Sequence, residues 1–189
     1  MARFIRSLAA ALALMASSVL SGQRLPIKTF SAADGLPGGG INRILSDAHG
    51  FIWFGSAEGV ARFDGHTFVR FGTELGLPSP VIRDLLQTKD GCYWFATNQG
   101  LCRLDPAATA DHQGPGRIRL LAVPMEGAVP TQLLEDPAGV LWCGTTRGLF
   151  RVDRTPGKEA FQGVDLGLPT KLWDDSIVSA LAPRAGGGL

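Results

Sequence analysis

The chain is poor in the features that mark most functional classes. Only 19% of its 189 residues are charged, and the formal net charge is +1. No basic stripe or block of like charge appears, so nothing points to nucleic acid or to an anionic membrane surface as a partner. Cysteine is scarce: Cys92, Cys102 and Cys143 are an odd count, which excludes a simple disulfide framework. Their spacing fits no zinc pattern. Each sits among strand-forming residues, where a free thiol serves as a small apolar side chain. His49, His66 and His112 lack paired spacing, so neither a metal site nor a cofactor is expected. Past the N-terminus no segment keeps a 3.6-residue apolar period over ten or more residues, which argues against a helical domain. Ser46 and Ser56 have no His–Asp arrangement near them, and no catalytic residue is expected. The run "PGGG" (Pro37 to Gly40) leads into a strand, whereas a phosphate cradle needs a helix N-terminus.

Glycine and proline are plentiful, at 25 and 12 residues. They are the punctuation of many short strands and tight turns. The first residues read as a targeting segment over 1–22: Arg3 and Arg6, then the apolar run from Leu8 to Leu20. That run is too short to span a membrane comfortably, so a cleaved signal peptide and an exported chain, periplasmic or extracellular, are predicted. Gln23 stands where a lipoprotein would carry its cysteine, so no lipid anchor is expected.

One frame recurs. "GFIWFGSAEGVARFD" from Gly50, "GCYWFATNQGLCRLD" from Gly91 and "GVLWCGTTRGLFRVD" from Gly139 share G-x-x-W-x-[GA]-[ST]-x-x-G-[LV]-x-R-x-D. The tryptophans are Trp53, Trp94 and Trp142, the turn glycines Gly59, Gly100 and Gly148, the arginines Arg62, Arg103 and Arg151, and the closing acids Asp64, Asp105 and Asp153. Asp47 leads the first copy, with Thr88 in its place in the second. Ahead of the frame, "GLPGGGINRILSD" from Gly35 matches "GLPSPVIRDLLQT" from Gly76 and returns as "GLPTKLWDDSIVSALA" from Gly167. The third copy keeps the strand but loses Gly-Leu-Pro.

Each unit reads as four short strands, in the first copy Ile41–Ser46, Phe51–Ser56, Val60–Phe63 and Phe68–Phe71. Four antiparallel strands repeated every 40–50 residues or so are the unit of a β-propeller. The runs "FIWFG" and "CYWFA" are apolar at adjacent positions, as a sheet covered on both faces requires. The tryptophan is placed between blades, and the glycine or alanine two residues on leaves room for the neighbour. Ile27 to Phe30 aligns with Phe68 to Phe71 and is predicted to be a lone outer strand. The fold class is all-β, with β-propeller blades of four antiparallel strands present as an incomplete open arc. Residues 23–189 hold three full repeats, that leading strand and a truncated fourth repeat, which reads as a fragment of a longer array.

Asp47, Gly50, Trp53, Gly55, Ser56, Gly59, Arg62 and Asp64 carry the frame best, and with the preceding Gly-Leu-Pro it resembles the two-component regulator propeller repeat. Thr88, Ala96 and Cys143 depart from it. The resemblance implies a periplasmic sensor region whose parent chain has a membrane span and an output such as a histidine kinase or diguanylate cyclase. It further implies an extracellular small-molecule or oligosaccharide ligand, a downstream signalling module as partner, and membrane contact only through the parent. A secreted glycan-binding or scaffolding propeller without an output is the other reading.

Asp47, Glu58 and Asp64 do not make a convincing carboxylate site. Glu58 is replaced by Gln99 and Arg147 in the other copies, while Asp64 recurs as a turn residue does. The candidate ligand-binding residues are Arg43 and Arg83, matched to one place in the first strand, the one nearest the axis, with Gln132 and Ser179 corresponding. Ion pairing of these arginines with Asp84 or Asp47 is the structural alternative.

Overall fold

The computed structural model describes residues 27–104, 118–121, 127–155, 159–167 and 177–183. The predicted signal segment, Asp105 and His112 lie outside them. Among the described residues, twelve strands fall into three antiparallel sheets, each in simple meander order. Blade 1 holds β1 (Ile41–Ser46), β2 (Ile52–Ser56), β3 (Gly59–Phe63) and β4 (Phe68–Phe71). Blade 2 holds β5 (Ile82–Gln87), β6 (Tyr93–Thr97), β7 (Gly100–Leu104) and β8 (Ile118–Leu121). Blade 3 holds β9 (Pro130–Glu135), β10 (Leu141–Thr145), β11 (Gly148–Asp153) and β12 (Ala160–Gly163). The first strands lie side by side, β1 against β5 and β5 against β9, so they are the inner strands of an open arc.

Blade 2 shows why the frame is apolar without alternation. Successive side chains of a strand point to opposite faces. On β6, Tyr93 and Phe95 join Trp53, Val60, Phe71, Leu77, Ile82 and Leu85 in the core between blades 1 and 2. Trp94 and Ala96 turn the other way, into a second core with Leu133, Leu141, Cys143 and Phe150 of blade 3. Trp53 and Trp94 are almost completely buried. Where no blade lies beyond among the described residues, the same positions open: Ile44, which matches Leu85, is 59% exposed against 1%. All three cysteines are buried in these cores.

Close approach explains Gly55. A Cβ there would lie 2.7 Å from Ile82 Cγ2 and 3.2 Å from Leu85, so the inner strand of blade 2 occupies the space a side chain would need. Gly144 repeats this, with Val178 Cγ1 at 2.7 Å from the same hypothetical atom. Val178 thus sits on blade 3 as Ile82 sits on blade 1, and its N–H donates to the Thr145 carbonyl at 3.0 Å. Val178 of the fourth copy is therefore seated against blade 3, although the described residues 177–183 form no strand. At the other end, residues 27–30 also make no ladder, which differs from the expected outer strand. An extended segment becomes a strand only beside a partner, and none flanks it among the described residues. Phe30 packs edge-on against Phe63 and Phe68 instead, with centroids 4.9 and 5.4 Å away.

Candidate functional site at the inner-strand ends

All three inner strands carry a β-bulge at one place. Ile41 and Arg43 pair with Ser56 and Gly55, Ile82 and Asp84 with Thr97 and Ala96, and Pro130 and Gln132 with Thr145 and Gly144. Asn42, Arg83 and Thr131 are the extra residues. A bulge re-aims the side chain it carries. Asn42 Nδ2 donates to the Ile82 carbonyl of the next blade at 2.8 Å. Thr131 Oγ1 does the same to the Val178 carbonyl. Arg83 departs from the pattern: its Nε donates to Asn98 Oδ1 in its own β6–β7 turn at 2.7 Å, and the side chain is exposed.

This register corrects the matching of Arg43 with Arg83. Arg43 shares its place with Asp84 and Gln132, whereas Arg83 shares its place with Asn42 and Thr131. A one-residue offset in a strand sends the side chain to the other face. The two arginines therefore have different surroundings. Arg43 Nε meets Asp84 Oδ1 at 2.9 Å, with the arginine side chain 50% exposed and the aspartate 1%. Asp84 Oδ1 also accepts the Leu85 N–H at 2.9 Å, and Oδ2 accepts the Leu133 N–H of blade 3 at 2.8 Å. One buried carboxylate thus ties three blades. Burial pushes that carboxyl above its ordinary value, against the opposing pull of the Leu133 N–H, Arg43 and the Leu85 N–H.

The variable turn residues flank the same end. Glu58 and Gln99 are exposed and Arg147 is half-buried, each in a β2–β3-type turn like the one that holds Asn98. Ser56, Thr97 and Thr145 staple these turns. Each hydroxyl donates to the carbonyl of Gly59, Gly100 or Gly148, and accepts the N–H of Glu58, Gln99 or Arg147. The turn glycines hold φ of 124, 135 and 106°, and Gly50, Gly91 and Gly139 hold 84, 85 and 84°, values at which a Cβ would be strained.

The acids of the frame are occupied with structure. Asp47 Oδ1 accepts the N–H groups of His49 and Phe51. Its Oδ2 accepts the Trp53 indole N–H at 2.7 Å and the Tyr93 hydroxyl of blade 2 at 2.6 Å. Burial alone would raise this carboxyl, but the Tyr93, Trp53, Phe51 and His49 donors hold it below its ordinary value. Asp136 holds the Trp142 indole in the same way at 3.0 Å. Thr88 does so for Trp94 with a hydroxyl at 3.2 Å. Asp64 accepts two backbone N–H groups, from Thr67 and His66, and the Thr67 hydroxyl, which bring its carboxyl down to about 2. Two of the frame arginines lie over aromatics, Arg62 4.4 Å from the Phe51 ring and Arg103 5.8 Å from Trp94.

A cavity of about 480 Å³ lies elsewhere, beside the β9–β10 turn, lined by Ala138, Gly139, Val140, Arg151, Arg154 and Gln162. It includes neither Arg43 nor Arg83. Among the described residues no group of three or more His, Cys, Asp or Glu is placed to hold a metal ion. Among them, too, no helix is long and apolar enough to cross a membrane.

The meander sheets, the inner-strand row and the tryptophan between blades define consecutive β-propeller blades. The family described as "Two component regulator propeller" matches residues 35–58 and 76–99. Those two segments are similar to that repeat. Solved structures of similar fold include two extracellular domains from B. thetaiotaomicron. One is that of BT4673, designated a one-component system, at 23% identity and TM-score 0.56, over 74% of this chain and 18% of that one. The other is that of BT3049, designated a hybrid two-component system, at 21% identity and TM-score 0.58, over 77% and 19%. A catalytically inactive virginiamycin B lyase from Staphylococcus aureus aligns at 18% identity and TM-score 0.53, over 78% of this chain and 47% of the lyase. The chain spans less than a fifth of the length of the two extracellular domains. At such identities the likeness establishes the fold. No curated protein matches the chain.

Proposed function

We propose that the chain is part of an exported, ligand-sensing propeller of a two-component signalling protein, with its ligand held at the inner-strand ends by Arg43 and Arg83. The observation that carries this reading is the match of two blades to two-component regulator propeller repeats. The fold likeness to extracellular domains of designated one- and two-component systems supports it. Arg83 supports the siting, since it alone of the three bulge residues leaves the interblade bond and extends into solvent beside a turn. The ligand is an extracellular small molecule or oligosaccharide, and these residues serve as receptor without a catalytic role. Binding acts on a downstream output only through a difference in affinity between two arrangements of that output.

Two measurements test the reading. Alkaline phosphatase fused after Leu189 should be active outside the cytoplasm. Oligosaccharide array screening of the full extracellular region should give hits that Arg83→Ala weakens. A cytoplasmic fusion, or hits indifferent to both Arg43→Ala and Arg83→Ala, would overturn it.

A further inference from the structure

The line Arg43–Asp84–Leu133 crosses three inner strands and joins an exposed cation to a buried backbone bond. Arg43 spends Nε on Asp84. A guanidinium carries five N–H donors in a planar fork, and this one is half exposed. It therefore presents a further edge suited to a carboxylate or sulfate group. The carboxylate behind it is sealed from water, and its second oxygen holds the N–H of Leu133 on β9. A buried charge depends strongly on its partners.

We propose that Asp84 is a coupling residue: an anion bound on the outer edge of Arg43 shares the cation that Asp84 relies on, and the change is felt at the Leu133 bond between blades 2 and 3. This deepens the sensing role, and it rests on Arg43 facing the ligand. An anionic group on the ligand at one blade would thereby alter the seating of a blade two strands away, with no contact to that blade.

The test is hydrogen exchange at the Leu133 amide, read by NMR on the full chain in sodium sulfate and in sodium chloride at equal ionic strength. The Arg43 Nε–H resonance reports binding in the same samples. Sulfate should shift that resonance and speed Leu133 exchange about tenfold, the scale of weakening one charge-assisted hydrogen bond. Chloride should do neither. Asp84→Asn keeps an oxygen for the Leu133 N–H but carries no charge, so sulfate should still shift Arg43 and leave Leu133 exchange unchanged. Arg43→Gln should exchange fast in both salts. If that variant does not fold, Arg43→Lys, which keeps a charge but not the planar edge, should exchange slowly and lose the sulfate response. A sulfate shift at Arg43 with unchanged exchange at Leu133 in the native chain would refute the coupling and leave Arg43 as a ligand residue. No sulfate shift at Arg43 would refute both.

Discussion

Tyr93→Phe isolates the most informative single bond of the arc. The substitution removes one hydroxyl and leaves the ring, whose centroid lies 4.5 Å from that of Trp53. The lost bond is a 2.6 Å donation across the joint between blades 1 and 2. A hydrogen bond to a charged group contributes about 1.5–3 kcal/mol. Asp47 keeps three other donors, so a loss at or just below the low end of that range is expected, about 1–2 kcal/mol. For a chain of this size that lowers the melting midpoint by roughly 3–6 °C. The pH dependence should change with it. The folded Asp47 carboxyl is held below its ordinary value, so its contribution is present above about pH 4 and is lost as pH falls through the folded value. Removing the Tyr93 donor should make that acid loss shallower. At the alkaline side, burial and then Asp47 raise the Tyr93 hydroxyl, so its contribution is complete below about pH 10 and is lost as pH rises further. Tyr93→Phe abolishes that alkaline loss. Urea unfolding followed by near-ultraviolet circular dichroism, with Asp47→Asn completing a double-mutant cycle, measures each quantity. A coupling energy under about 0.3 kcal/mol, within the additivity expected of independent sites, together with an unchanged acid profile would refute the assignment.

Other outcomes follow from the same geometry. Gly55→Ala forces a methyl to 2.7 Å from Ile82, and overpacking of this kind should cost about 1–3 kcal/mol in urea unfolding; a neutral result would mean that blades 1 and 2 are not in contact there. Asn42→Ala removes the interblade donor to the Ile82 carbonyl and should cost about 1 kcal/mol, whereas Arg83→Gln should stay within about 0.5 kcal/mol of the native chain. Equal effects would contradict the different uses of the bulge. Burial pushes the Cys102 and Cys143 thiols up to about 12, so both should resist Ellman's reagent at pH 8 until the chain is unfolded. Rapid labelling of either in the native chain would contradict its place in the core.

The blades were legible because their devices recur. Ile41–Ser46 and Phe68–Phe71 read from the sequence are the strands observed, since apolar runs bounded by glycine and polar turns leave few alternatives. The tryptophan at the joint and the room at Gly55 also read through. The bond from indole to Asp47, Thr88 or Asp136 did not. Thr88 looks like a departure from the frame, yet a hydroxyl oxygen accepts an indole N–H as a carboxylate does. The candidate arginines were the least legible. Matching by residue type pairs Arg43 with Arg83, whereas counting from Gly35 and Gly76 pairs it with Asp84. A bulge leaves no residue-type signature here, because Asn42, Arg83 and Thr131 share neither charge nor shape. Residues 27–30 carry a strand-like sequence, but a ladder needs a neighbour that local pattern does not encode.

The place occupied by Arg43, Asp84 and Gln132 also bears on how such an array grows. Tandem duplication is the simplest route from few blades to many. If blade 2 were copied in tandem, the Asp84 position of one copy would face the Asp84 position of the next, two buried acids where an arginine and an aspartate now meet. Each joint is keyed to its own neighbours. A newly copied blade in this chain would have to change charge at that place before it could seat tightly against its neighbour.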